Sequence, residues 1–327
     1  MRKVAVVFNG GTISMKVDPR IQAAVPTLSG EEMISMVTGI ERYAEIECFT
    51  FSNLPGPHVT TRKMMDLSKY IQGILAREDI VGVVVTHGTD TLEETAYLLD
   101  LTIKSEKPVI VTGSMRNSSE LGYDGPANLS ASICTAISEK AKNKGVMVCL
   151  NDELNCASEV TKAHSMKLNT FESPEFGPIG IIDNNEVIFY RDTLSKIYIH
   201  TDKIEDNVYL IKCAAGMDSS LLDFCVGKGA KGIVIEALGR GNIPPQMVAG
   251  VKRAIDQGIA VVIVSRCFGG RVLDSYGYEG GGKQLRNMGV IFGGTLPGQK
   301  ARIKLMLCLG KYSDLNETKK VFEEGIY

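Results

Sequence analysis

Val83-Val84-Val85-Thr86-His87-Gly88-Thr89-Asp90-Thr91-Leu92-Glu93-Glu94-Thr95 changes character twice within one short stretch. The apolar, β-branched start reads as a buried strand, the polar middle as a turn, and the end as the opening of a helix. A near-echo stands at the start of the chain, Val4-Ala5-Val6-Val7-Phe8-Asn9-Gly10-Gly11-Thr12. Both segments run from a strand into Gly-Thr. In an open α/β sheet, ligands bind beyond the carboxyl ends of the strands. The turn therefore gathers Thr86, His87, Thr89, Asp90 and Thr91 where a ligand is expected, and the pair of Gly-Thr turns suggests a site built around a hydroxyl.

Outward from these turns, apolar runs alternate with amphipathic stretches. Strands are expected at 3–8, 45–51, 80–86, 108–112 and 145–150, and helices at 30–38, 61–77, 91–102 and 125–142. Continuously apolar strands separated by helices imply a parallel sheet covered on both faces. Residues 9–29 read as a long loop. Asp124-Gly125-Pro126 reads as a helix start, the aspartate capping and the proline in the first turn. Residues 179–190 read as a hairpin with an Asn-rich turn. The polar, aperiodic stretch 191–206 reads as a linker. Beyond it, strands fit 207–212, 231–236 and 259–264, and helices fit 217–227, 244–257, 297–309 and 314–324, with a Gly-rich loop over 265–283. The expected fold class is α/β with two doubly wound lobes. A larger N-terminal parallel-sheet domain covers 1–190, and a smaller C-terminal α/β domain covers 207–327.

Composition narrows the function classes. The chain has 327 residues, 44% of them hydrophobic and 23% charged, with a formal net charge of −2. That balance disfavours nucleic acid and anionic membrane as partners, since both are held by clustered Lys and Arg. No apolar segment is long enough for a membrane span or a signal peptide. The eight cysteines form no C-x-x-C pair, and several lie in apolar strands or helices. They read as buried free thiols in a reducing compartment, so a cytoplasmic location is expected. With four histidines and no paired ligand spacing, no metal is expected. Gly10-Gly11-Thr12 is not a dinucleotide fingerprint, because G-x-G-x-x-G is absent after the first strand, and there is no Walker A sequence. No cofactor is expected.

The strand ends carry the candidate chemistry: Thr12, then Thr89 and Asp90, then Ser114 with Met115-Arg116, then Asn151-Asp152. Helix capping is the plain alternative for Asp90 and Thr91, since Thr91 followed by Glu94 fits a capping box. The convergence of several polar turns on one sheet edge favours a site instead. A threonine hydroxyl is a weak nucleophile that needs a base, and Lys162, in Glu159-Val160-Thr161-Lys162-Ala163-His164, is the lysine nominated, because it follows the Asn151-Asp152 strand end, where the chain has just left the same edge of the sheet. The alternative for Lys162 is a solvated surface residue.

Asn9-Gly10-Gly11-Thr12-Ile13 and Thr86-His87-Gly88-Thr89-Asp90-Thr91-Leu92-Glu93-Glu94-Thr95 resemble the two signature segments of the bacterial-type L-asparaginase family of asparaginase/glutaminase amidohydrolases. Gly113-Ser114-Met115-Arg116, Asp124-Gly125-Pro126-Ala127-Asn128-Leu129, Asn151-Asp152, Val160-Thr161-Lys162, Gly241-Asn242 and Gly294-Thr295-Leu296 with Gln299-Lys300-Ala301-Arg302 also match in order, over nearly the whole chain. The resemblance implies conversion of L-asparagine to L-aspartate and ammonia through a threonine acyl-enzyme. Thr12 would attack the amide carbon, Thr89 and Lys162 would handle the proton, and Asp90 would bind the α-ammonium group. Gly56, Gly88 and Ser114 would contact substrate, with backbone N–H groups near Thr89 and Ser114 as oxyanion donors. It further implies a homodimer or homotetramer with shared sites, to which Asn242, Tyr276, Tyr278 and Glu279 of a neighbouring subunit would contribute.

Three departures from the family pattern stand out. Residues 13–29 lack the tyrosine that family members commonly carry after the nucleophile, a role for which Tyr276 or Tyr278 is the candidate substitute. The position that often offers a hydroxyl to the substrate carboxylate is Gly56, in Leu54-Pro55-Gly56-Pro57-His58. Glu279, in a Gly-rich segment that also reads as a plain surface loop, is the nearest counterpart of a glutamate contributed across the subunit boundary. A glutaminase-asparaginase of relaxed specificity and a non-catalytic sensor of aspartate or asparagine are the alternatives. The amidotransferase subunit that feeds ammonia to tRNA is a further relative, expected to carry an additional N-terminal domain.

Overall fold

The alternation in the opening strand decides which helices cover which face. In the computed structural model, which describes residues 2–194 and 196–324, Val4, Val6 and Phe8 join one apolar cluster and Ala5 and Val7 the other. A strand's side chains point to opposite faces in turn, so an unbroken apolar run is buried on both. The chain divides into two units between Thr193 and Leu194.

The first unit contains β1 (Lys3–Gly10), β2 (Met15–Asp18), β3 (Ala23–Pro26), α1 (Gly30–Ser35), β4 (Glu45–Leu54), α2 (Thr61–Leu75), β5 (Ile80–Thr86), α3 (Leu92–Thr102), β6 (Val109–Thr112), α4 (Gly125–Ala136) and β7 (Val146–Leu150). It closes with β8 (Glu153–Cys156), β9 (Thr161–Lys162), β10 (Phe171–Glu172), β11 (Gly180–Asp183) and β12 (Glu186–Phe189). The main sheet has eight strands in the order β12-β11-β8-β7-β6-β5-β1-β4. It is parallel from β4 to β7, and β8, β11 and β12 add an antiparallel edge. On one face α1 and α4 pack Met33, Leu129 and Ile133 against Val6 and Val84. On the other, α2 and α3 pack Leu67, Ile71, Leu92 and Leu99 against Val7, Val83 and Val85.

The second unit contains β13 (Val208–Lys212), α5 (Ser220–Gly227), β14 (Gly232–Ala237), α6 (Pro245–Asp256), β15 (Ala260–Ser265), α7 (Gly282–Asn287), β16 (Ile291–Phe292), α8 (Gly298–Lys311) and α9 (Leu315–Glu323). Its four-stranded sheet, β13-β14-β15-β16, is parallel throughout. The larger parallel-rich sheet and smaller second sheet are the α/β architecture expected from the sequence. No helix among the described residues is long and apolar enough to cross a membrane. All eight cysteines are free, six of them buried, while Cys267 is exposed.

Several local expectations need correction. Residues 9–29 are not a bare loop: β2 and β3 pair as an antiparallel hairpin, anchored where Ser118 N–H donates to the Met15 carbonyl and Val17 N–H to the Ser119 hydroxyl. The fourth helix stops at Ala136 rather than 142, and a single 3₁₀ turn, Glu139–Ala141, follows. Asn151 and Asp152, read as polar residues at a strand end, also have a backbone role. They form the two-residue turn between β7 and β8 with φ of 52° and 58°, the left-handed conformation that favours Asn and Asp in tight hairpins. The short strands β8, β9, β10 and β16 and the helix α7 carry too few residues to show a period and were not expected.

Candidate active site

Three backbone turns meet at the carboxyl edge of the first sheet, and glycine is what lets them meet. A methyl group on Gly11 would lie 2.4 Å from the Gly88 nitrogen, and one on Gly88 would lie 2.6 Å from Gly56 Cα. These are backbone-to-backbone contacts between the turns after β1, β4 and β5. Gly11 also has φ of 91°, a region closed to side chains with a Cβ. Thr12 and Thr89 each directly follow a glycine of this junction, so the contact brings the two Gly-Thr echoes of the sequence onto one spot.

Thr12 opens a one-turn 3₁₀ helix, Thr12–Ser14. The turn is fastened through its backbone: Gly11 N–H donates to Leu54 O at 3.0 Å, and Ser14 N–H and the Ser14 hydroxyl both donate to Gly11 O. The half-buried Thr12 hydroxyl takes no hydrogen bond from any described residue.

The β5 turn is held by its side chains. Buried Thr89 receives a hydrogen bond from Lys162 Nζ at 2.9 Å, and the same ammonium pairs with Asp90 Oδ1 at 2.8 Å. Lys162 is not a solvated surface lysine, since its side chain is only 16% exposed. Its backbone N–H and the Thr161 hydroxyl both donate to the carboxylate of buried Glu93 on α3, each at 3.2 Å. Glu93 was missed in the sequence because it reads as an ordinary acidic residue of a first helical turn.

The capping alternative for Asp90 and Thr91 fails on geometry. Thr91 stands at the N-cap position of α3 but makes no capping bond, and its hydroxyl donates across the junction to Gly56 O at 2.9 Å. His87 is wholly buried between Gly88 O and the Thr95 hydroxyl, 2.8 Å from each. A carbonyl only accepts, so Nδ1 carries the proton and Nε2 accepts from Thr95. Burial lowers the His87 pKa to about 4, so the ring is neutral and serves as a brace between turn and helix.

Asp124 was expected to cap α4. It lies at the N-cap without a capping bond; its carboxylate accepts from Met115 N–H and Arg116 N–H, both at 3.0 Å, and from Asn128 Nδ2. It thereby fixes the loop after β6. Ser114 in that loop is fully buried, and its hydroxyl donates to Arg116 O at 2.7 Å. In the second unit, Asn242 Oδ1 accepts from Gly282 N–H at 3.2 Å. Tyr276 and Tyr278 are exposed and stand with ring centroids 5.6 Å apart, and Glu279 is exposed in the same Gly-rich segment.

The two units match two family models in succession. Residues 3–195 match the model described as Asparaginase, N-terminal, and residues 207–322 match the Glutaminase/Asparaginase C-terminal domain. The chain belongs to the asparaginase family. It is 36% identical to the L-asparaginase of Bacillus licheniformis over 96% of this chain and 97% of that one. It is 33% identical to L-asparaginase 2 of Bacillus subtilis, covering 98% of this chain and 86% of that one. Among solved structures, a probable cytoplasmic L-asparaginase from Campylobacter jejuni superposes with a TM-score of 0.89 at 32% identity, covering 99% of both chains.

Proposed function

We propose that this chain hydrolyses L-asparagine to L-aspartate and ammonia, with Thr12 as the nucleophile. The observation that carries the reading is the contact of Gly11 with Gly88, which seats Thr12 beside a turn whose Thr89 is already bonded to Lys162. Family membership and the names of the relatives support the substrate.

In the first half-reaction Thr12 Oγ bonds to the amide carbon and its proton passes through Thr89 and Lys162 to the leaving nitrogen. The C–N bond breaks, ammonia departs and an acyl-threonine remains. Water then attacks the ester carbon, aspartate leaves and Thr12 recovers its proton. Asp90 is the counter-charge for the substrate's α-ammonium group. That ammonium competes with Lys162 for the Asp90 carboxylate. Backbone N–H groups at Thr89 and Ser114 are the candidate oxyanion donors. Gly56 and Gly88 shape the floor on which the substrate lies.

Gly56 brings a second reading with it. A glycine offers no side chain to the substrate carboxylate, and an extra methylene alone discriminates by only about 1–3 kcal/mol, so a glutaminase-asparaginase is the alternative. Ammonia release from L-asparagine and L-glutamine, by the parent and Thr12→Ala, tests all of this. Fast release from asparagine alone, lost in Thr12→Ala, is expected. Comparable release from both amides establishes the relaxed enzyme, and aspartate binding without turnover of either amide establishes a sensor.

A homodimer or homotetramer, in which Asn242, Tyr276, Tyr278 and Glu279 complete a neighbour's site, is part of the proposal, as is a cytoplasmic location suited to eight free thiols. Sedimentation with and without aspartate checks the assembly.

A further inference from the structure

The nucleophile turn is fastened by a tyrosine from elsewhere in the chain. The bonds of the 3₁₀ turn use the carbonyls of Gly11 and Thr12. The next carbonyl, that of Ile13, accepts a hydrogen bond from the Tyr123 hydroxyl at 2.5 Å. Ile13 directly follows Thr12, so this bond holds the Ile13–Ser14 peptide, one unit beyond those that flank Thr12 and within the same 3₁₀ turn.

The ring is held in place on both sides. Tyr123 is half-buried against the apolar cluster that contains Ile13 and Leu129. It lies across the first residue of α4: a methyl group on Gly125 would fall 2.3 Å from the Tyr123 hydroxyl oxygen and 2.4 Å from its Cζ. The next residue, Asp124, grips Met115 N–H and Arg116 N–H. Two consecutive side chains ahead of one helix therefore tie down two loops of the site. Burial first, and the adjacent Asp124 carboxylate second, raise the Tyr123 hydroxyl above its ordinary pKa, so it stays protonated and donates throughout the working pH range.

We infer that Tyr123 is a positioning residue for Thr12, fixing the turn from behind through the Ile13 carbonyl, and that Gly125 is glycine to leave room for its ring. The inference rests on the reading of Thr12 as nucleophile. Attack geometry is unforgiving, and a misplacement of about 1 Å can cost on the order of 100-fold. The substrate anchor Asp90 sits on a different turn, so the loss falls on the chemical step and not on binding.

The experiment measures kcat, KM, L-aspartate affinity and thermal midpoint for the parent, Tyr123→Phe, Gly125→Ala and Thr12→Ala. Tyr123→Phe keeps the ring and removes only the bond; kcat is expected to fall about tenfold, with KM and aspartate affinity within twofold and the midpoint little changed. Gly125→Ala adds a good helix former, which favours the helix, yet displaces the ring, so the same selective loss of kcat is expected. Parent-like kcat in either variant overturns the inference, and so does a loss in which kcat, KM and stability move together. Retained activity in Thr12→Ala instead overturns the nucleophile reading beneath it.

Discussion

The turns after β1 and β5 share the sequence Gly-Thr and are secured in opposite ways. After β5 the side chains are committed: Thr89 to Lys162, Thr91 to Gly56, His87 to Gly88 and Thr95. After β1 the backbone is committed and the Thr12 hydroxyl is left without a partner among the described residues. A nucleophile needs a fixed position and an unoccupied oxygen. A proton relay needs its hydrogen bonds already made. On the proposed reading of Thr12 and Thr89, the same dipeptide meets both demands because the restraint comes from the main chain in one turn and from side chains in the other.

The contrast breaks first on activity. Thr12→Ala and Lys162→Met are each expected to lower kcat by at least roughly 1,000-fold, and the double variant is expected to be no worse than either, as for groups acting as one unit. Stability should separate them. Thr12→Ala removes no hydrogen bond of the hydroxyl, whereas Lys162→Met strips the partner from buried Thr89. Equal losses of unfolding free energy in denaturant would end the comparison.

The glycine junction comes next. Gly88→Ala forces a methyl group into the Gly56 backbone and is expected to cost about 3 kcal/mol, read as a lower urea midpoint. An unchanged midpoint would mean that the turns are free to part.

The acid limb of stability tests His87, for which the β1 turn has no equivalent. Its folded pKa of about 4 lies below the roughly 6.5 of an unfolded histidine. Between these values the unfolded chain binds more protons, so the contribution is complete above pH 6.5 and is lost as the pH falls toward 4. The loss is on the order of 3 kcal/mol. Unfolding free energies measured from pH 7 to pH 4 should fall less steeply in His87→Asn than in the parent; parallel slopes would remove the buried brace.

The smallest effect belongs to Thr91→Val, which deletes the bond to Gly56 O and is expected to cost about 1 kcal/mol. A capping threonine would instead be replaced well by Ser or Asn, and the Asn variant distinguishes the two roles.

The sequence was most legible where a period is long. The apolar runs of β1, β4, β5 and β7 and the helices between them follow from alternation and amphipathicity, and the Gly-Thr echo marks the two turns that meet at the sheet edge. Local signals misled where tertiary partners outbid neighbours in the chain. Asp124 and Thr91 hold capping positions, yet each hydrogen-bonds a different loop. Asn151-Asp152 reads as strand-end polarity, while its left-handed turn backbone by itself also favours Asn and Asp. Tyr123 gave no signal at all, since its partner is the carbonyl of Ile13, and no spacing rule links a side chain to a carbonyl 110 positions earlier.

Strand order also sets a schedule. β1 lies between β4 and β5, so it has its first neighbour once residue 54 is made and its second only once residue 86 is made. Gly11 can settle only after Gly56 and Gly88 have been made. At about 5–20 residues per second, Thr12 waits roughly 4–15 s on the ribosome before its seat is complete. Until β5 is made the nascent chain presents Val4-Ala5-Val6-Val7-Phe8 as an apolar strand with at least one unpaired edge, the kind of segment that chaperones shield and that aggregation exploits.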